Sequence, residues 1–248
     1  MLRSRVIPCL LIHNNGLVKT LKFKDKIYIG DPINTVKIFN EKQVDELVIL
    51  DIDATMLGKE PNFELIKKLA NESRMPLCYG GGIKTSAQAN KIFNLGVEKI
   101  ALSSAALTNP ELINEISNMV GSQSVVAVLD IKKSLFGKYE IYTHNATKKI
   151  GGDIEATVNQ LIECGAGELV INSIDNDGVM KGFDFNLFDR IYAVSSVPLT
   201  ILGGAGSLSD IVEAVEKYKI VGVAAGSLFV FKGKYKAVLI NYPENLFH

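Results

Sequence analysis

The chain has 248 residues, 47% of them hydrophobic and 22% charged, with 27 basic and 27 acidic side chains that leave no net charge. That is enough apolar material for one large core or two small ones, and the balanced charge argues against a nucleic-acid partner. The longest apolar runs are only seven or eight residues, far short of the roughly 20 that span a bilayer, and the N-terminus lacks a small-residue cleavage site. A soluble cytoplasmic protein with no membrane partner is therefore expected. Cys9, Cys78 and Cys164 are odd in number and lack CxxC spacing, so neither a disulfide framework nor a zinc site is implied.

In chain order, apolar and β-branched runs fall at 6–12, 46–52, 76–79, 99–104, 125–131, 168–174, 198–202 and 221–226. Runs without polar alternation suit strands covered on both faces. Helical spacing occupies 32–39, 63–69, 87–95, 110–119, 154–162, 187–194 and 211–215. Eight strands alternating with helices at this length predict an α/β fold, a (β/α)₈ TIM barrel forming a single domain over 1–248. A doubly wound open sheet is the structural alternative.

An internal repeat sharpens the reading. A shift of 122 positions lays DELVILDID (45–53) on GELVINSID (167–175), Gly81-Gly82 on Gly203-Gly204, and Thr85 on Ser207. The first and fifth strands match at a shift of 119, which sets Leu11 against Asp130. Two fused half-barrels, about 1–121 and 122–248, are expected.

In such barrels, reacting groups sit where strands end and loops begin. YGGGIKT (79–85) and LSSAA (102–106) follow the third and fourth strands; LGGAGS (202–207) and AAGS (224–227) follow the seventh and eighth. Glycines let backbone N–H groups approach an anion, and a helix N-terminus adds partial positive charge. Each pair of loops could cradle a phosphate, although tight turns alone also call for glycine. Two such sites related by the repeat point to a substrate with a phosphate at each end.

Asp130 ends the fifth strand, Asp51 and Asp53 the second, and Asp175 and Asp177 follow the sixth. Any of them could transfer a proton or merely cap a loop. Lys19 could hold an anion. His13, His144 and His248 show no metal-ligand spacing, and His13 lies near the presumed reacting face. Arg5, Glu46, Lys99 and Glu168 mark the starts of the first, second, fourth and sixth strands, where they would form a ring of two cations and two anions. On the sequence alone that ring is either a structural ion-pair cluster or a gate.

GDPI, DELVILDI, GGGI, SAAL, NPELI, GSQSVVA, YTH, GAGELV, DGVMKG and GGAGSL, spread from residue 1 to about 232, make the chain resemble the cyclase subunit of imidazole glycerol phosphate synthase. The resemblance implies a barrel whose N-terminal face docks a glutaminase subunit and whose interior conducts ammonia, with Arg5, Glu46, Lys99 and Glu168 as the gate. It places Lys19, Asp51, Gly81, Gly82, Ser103, Ser104, Asn172, Gly203, Gly204, Gly226 and Ser227 around a phosphorylated small molecule, and it implies no cofactor and no metal. The family's chemistry uses two aspartates: Asp130 matches one, and Leu11 stands where the other belongs. Ser103 and Asn172 likewise replace the usual Asn and Thr. Leu11 within CLLIHN, together with the GSLFVFKGKYKAVLINYP ending, resembles a paralogous branch that supplies ammonia to a separate sugar ligase making acetamidino sugars for surface polysaccharide. A genuine cyclase of histidine biosynthesis, a lyase in which His13 or a water replaces the missing aspartate, is the alternative. A phosphosugar isomerase of related barrel type is weakened equally by Leu11.

Overall fold

The computed structural model describes residues 3–243. His248 and most of the C-terminal NYPENLFH segment therefore lie outside the described residues. Eight parallel strands form the barrel: Arg5–His13, Leu47–Asp51, Leu77–Gly80, Lys99–Leu102, Val125–Lys133, Glu168–Ser173, Leu199–Leu202 and Gly222–Ala225. Each pairs with the next in chain order, and the eighth closes on the first through Arg5 opposite Gly222. The broadest parallel pairing joins the fifth and sixth strands, from Glu168 opposite Val126 to Ser173 opposite Ile131. The closed parallel barrel and its intervening helices are the expected TIM architecture.

Pleating divides the apolar side chains into two cores. Alternate strand residues such as Ile7, Cys9, Val48, Cys78, Val126, Val128 and Val170 fill the barrel interior. The others face outward and meet the helices, with Phe39, Ile116 and Phe188 fully buried between the layers. Seven longer helices cover the barrel: Pro32–Glu41, Phe63–Glu72, Ser86–Phe93, Glu111–Val120, Ile154–Glu163, Phe185–Tyr192 and Leu208–Tyr218. Their starts are written in the sequence. Asp31, Asn62, Thr85, Asp153, Asp184 and Ser207 each accept a backbone N–H of the first turn, and Ser207 with Asp210 forms a capping box.

Two antiparallel hairpins are additions that the apolar runs did not announce. Gly16–Leu21 folds back on the first strand, Val18 opposite Leu11, and Lys24–Gly30 continues outward from it. Tyr139–Thr143 folds back on the fifth strand, Tyr142 opposite Asp130, followed by Lys148–Ile150. Their outer strands are exposed for most of their length, so they carry no continuous apolar run. Two short helices, Ser104–Thr108 and Ser227–Val230, likewise open directly from the fourth and eighth strands. Among the described residues no helix is long and apolar enough to cross a membrane.

Phe188→Ala should lower unfolding free energy by about 3–5 kcal/mol, because it empties a fully buried site between helix and barrel. Ser207→Ala, which removes only a cap, should cost about 1 kcal/mol. Urea midpoints for the two variants should therefore separate clearly, and equal midpoints would contradict this division of the core.

Candidate functional site

The strands' C-terminal ends surround a pocket of about 160 Å³. Lys19, Asp51, Gly81, Gly82, Ser103 and Ser104 come to its wall from the first half of the chain. Asp130, Asn172, Gly203, Gly204, Gly226 and Ser227 come to it from the second. Leu11 lines the same wall, packed against the barrel's interior cluster and opposite Leu50 in the sheet register. These thirteen residues, far apart in sequence, are brought together because all but Lys19 sit at or just past the end of a barrel strand, and the first hairpin folds Lys19 back onto those ends.

Asp130 is the deepest carboxylate of the pocket. Asn172 Nδ2 donates to its Oδ1 at 3.0 Å, across the fifth and sixth strands, where the two residues are in register. Burial pushes the Asp130 carboxyl up to about 7; the Asn172 amide opposes the rise, while the negative charge of Asp177 adds to it. The Ser103 hydroxyl lies close enough to favour the ionised form slightly, but it meets no hydrogen-bond geometry. Ser103 Oγ and Asn172 Oδ1 are both buried without a partner. Buried polar atoms ordinarily find one, so these two pocket-lining residues keep hydrogen-bonding capacity to spare.

Lys19 is buried and its ammonium donates to the Cys9 carbonyl. Burial pulls its pKa below the ordinary lysine range, against the pull of Asp177. Asp177, weighed in the sequence only as one of five strand-end carboxylates, also lines the pocket. Its Oδ2 accepts from Thr20 Oγ1 at 2.7 Å and from the Phe23 amide at 3.0 Å, and so ties the first hairpin to the end of the sixth strand. The second hairpin reaches the other way, with Asn145 Nδ2 donating to the Ile52 carbonyl at 2.9 Å. His144 and Asn145 at that tip line the pocket too. In the sequence His144 stood out only as a histidine without metal-ligand spacing and as the end of the YTH motif, and Asn145 carried no signal.

Asp51 Oδ1 accepts from the amides of Asp53 at 2.9 Å and Ala54 at 3.1 Å. Burial nevertheless raises its carboxyl above the ordinary value. Asp53 instead pairs with His13 Nδ1 at 2.7 Å and accepts the Asn14 amide at 2.8 Å. Burial pushes Asp53 up, but these partners outweigh it and hold the carboxyl below its usual range. Asp175 caps the second hairpin by accepting the Lys133 amide at 2.7 Å. The two glycine pairs have the backbone that close approach requires: Gly81 and Gly203 have φ of +122° and +93°, and a Cβ on Gly203 would stand 2.6 Å from the Ser173 carbonyl. Among the described residues no cluster of His, Cys, Asp and Glu could hold a metal ion.

At the opposite end of the barrel the four charged residues do form a closed ring. Arg5 pairs with Glu46 and, at 2.7 Å, with Glu168. Lys99 pairs with Glu46 at 3.0 Å and with Glu168 at 2.9 Å. Thr200 Oγ1 adds a 2.6 Å bond to Glu168. Burial would raise the Glu168 carboxyl, but Arg5 and Lys99 outweigh it and hold the group below its ordinary value. Just above the ring the interior is apolar, from Ile7, Val48 and Val126 up to the pocket floor.

The Asp130 environment has a measurable consequence. An unfolded aspartate titrates near ~3.9, so between that value and about 7 the folded chain binds more protons than the unfolded one. Stability must fall as pH rises through this window. Asp130→Asn keeps the shape and removes the charge. It should be more stable than the wild type at pH 8 and indistinguishable from it near pH 4 in denaturant titrations. An unchanged midpoint at pH 8 would show that burial does not raise the Asp130 carboxyl.

Comparison with known proteins matches residues 5–236 to the family described as "Histidine biosynthesis protein". A Vibrio vulnificus protein provisionally named imidazole glycerol phosphate synthase subunit hisF3 is 59% identical over 245 residues, 98% of this chain and 94% of the relative. A Pseudomonas aeruginosa protein with the same provisional style of name, hisF2, is 52% identical over 244 residues, 98% and 97% of the two chains. The imidazole glycerol phosphate synthase subunit HisF of Streptococcus sanguinis is 36% identical over 229 residues, 92% and 91% of the two chains. The chain therefore belongs to the histidine biosynthesis protein family, as a homologue of the HisF cyclase subunits of imidazole glycerol phosphate synthase.

Proposed function

We propose that this chain is the ammonia-conducting, cyclase-like subunit of a glutamine amidotransferase complex, and that it passes ammonia to a separate enzyme forming acetamidino sugars for surface polysaccharide. One observation carries the reading: Leu11 occupies the pocket wall where a second proton-transferring carboxylate would be needed, while the charged ring and apolar interior below it are intact. An isobutyl group moves no proton. Asp130, with a pKa raised to about 7, could act as acid or base alone, but ring closure by the two-aspartate route lacks its other member.

The same residues suit ammonia transfer. A glutaminase would dock at the N-terminal face, where Arg5, Glu46, Lys99 and Glu168 close the barrel floor as a gate. Neutral ammonia can cross the apolar interior, whereas ammonium would lose its hydration there without a counter-charge. The Gly and Ser loops at 81–82, 103–104, 203–204 and 226–227 retain the form of anion sites. A phosphate or phosphorylated metabolite bound there would order the mouth, with Lys19 and Asp51 beside it.

Two measurements test this. With the phosphorylated ribulosyl aminoimidazole carboxamide substrate and excess ammonium salt, turnover should lie on the order of 10²–10⁴-fold below that of a two-aspartate cyclase. A rate near that of an ordinary cyclase would overturn the reading in favour of histidine biosynthesis. Lys99→Met strips one cation from both Glu46 and Glu168. In the complex with glutaminase it should release ammonia to bulk solvent, lowering product formed per glutamine hydrolysed by about tenfold while ammonium-driven product formation is unchanged. Equal coupling in wild type and variant would remove the gate.

A further inference from the structure

The two hairpins that flank the pocket mouth carry features that neither catalysis nor ammonia transfer uses. On the first, Leu21, Ile27 and Tyr28 are exposed; on the second, Leu135 and Phe136 at the turn are almost wholly in solvent. Single exposed apolar residues are ordinary, but grouped ones on both hairpins of a functional rim mark an interaction surface. The hairpins extend from the first and fifth strands, which lie opposite each other in the eight-strand order. The mouth therefore opens between two apolar ridges.

Charge singles out the same face. Segments 21–30 and 131–150 hold eight lysines against Asp25 and Glu140, in a chain whose charges as a whole sum to zero. Lys149 pairs with Glu140 at 2.6 Å. The Lys22, Lys24, Lys26, Lys132, Lys138 and Lys148 side chains are exposed, and none lies in a salt bridge among the described residues. Lys26 also lines the pocket, so the basic rim is continuous with the mouth.

We propose that this C-terminal face is the docking surface for the ammonia-consuming enzyme, a protein presenting an acidic surface with apolar sockets for Phe136, Leu135 and Tyr28. The assignment rests on the ammonia-delivery reading above and supplies its missing step. Ammonia that leaves the mouth into neutral water becomes ammonium and is no longer a nucleophile, so its consumer must cover the outlet. Lysines around the rim steer an acidic partner, and the exposed aromatic and aliphatic anchors hold it once its sockets cover them. Lysines beside exposed Leu and Phe also suit an anionic membrane. A bilayer pressed on this face would instead seal the outlet against lipid, with no acceptor in reach.

The test uses the chain in complex with its glutaminase and a purified acetamido-sugar ligase as the probe, with binding followed by biolayer interferometry. Wild type should bind with an affinity that weakens as salt rises. L135S/F136S and K132E/K138E should each weaken binding by about tenfold or more. Both variants replace exposed residues, so their circular dichroism and glutaminase binding should match the wild type. Unchanged ligase affinity in both variants would overturn the proposal, as would sedimentation with phosphatidylglycerol vesicles that disappears in F136S. Failure of the delivery reading shows differently: the ligase still binds through the hairpins and uses ammonium salt, but forms no product from glutamine.

Discussion

The inward column of side chains along each barrel strand is the constraint on which everything else rests. In a closed parallel barrel, every second residue must fill the lumen. The first strand therefore sends Arg5, Ile7, Cys9 and Leu11 inward in that order. The sixth sends Glu168, Val170 and Asn172. Charge at the floor, hydrocarbon in the middle and hydrogen-bonding groups at the top are one alternating pattern read along several strands. A one-residue register slip in any strand would turn its whole column outward. The floor, the apolar interior and the pocket thus stand or fall together.

That dependence explains why so much was legible in the sequence. Strand runs buried on both faces carry no polar interruption, so the eight strands stood out. With the strands placed, the positions of Arg5, Glu46, Lys99 and Glu168 at one end and of the Gly and Ser loops at the other followed from chain direction alone. The hairpins were not legible for the opposite reason. Lys24–Gly30 leaves five consecutive residues in solvent, and a strand that buries one face or none leaves little apolar signal. Asp177 was weighed only as one of five strand-end carboxylates, and Asn145 was missed, for a related cause. Their importance lies in bonds to Thr20, Phe23 and Ile52, contacts between the halves of the chain that local spacing cannot encode.

Those cross-contacts also show how the pocket is braced. The hairpin of the first strand is held by Asp177 at the end of the sixth, and the hairpin of the fifth strand is held at the end of the second. Each brace therefore crosses from one half of the chain to the other. The three consecutive left-handed residues His144, Asn145 and Ala146 form the second brace, and a conformation that non-glycine residues rarely adopt is tolerated where the tip is tied down.

Leu11 changes the electrostatics of the pocket as well as its chemistry. A carboxylate at that position would face Asp130 across the mouth, and like charges raise one another's pKa. With leucine there, burial is the main force acting on Asp130, opposed chiefly by the Asn172 amide. The remaining deep charges are Lys19, whose proton affinity burial lowers, and Asp130 and Asp177, whose proton affinities burial raises. All three are driven toward neutrality by the same desolvation. Under the proposed delivery of ammonia, weakening those charges favours the neutral molecule at the mouth, whereas a second carboxylate would add negative charge beside Asp130. On the proposed reading, the leucine that leaves Asp130 without a second carboxylate would also suit the mouth to letting a neutral nucleophile pass.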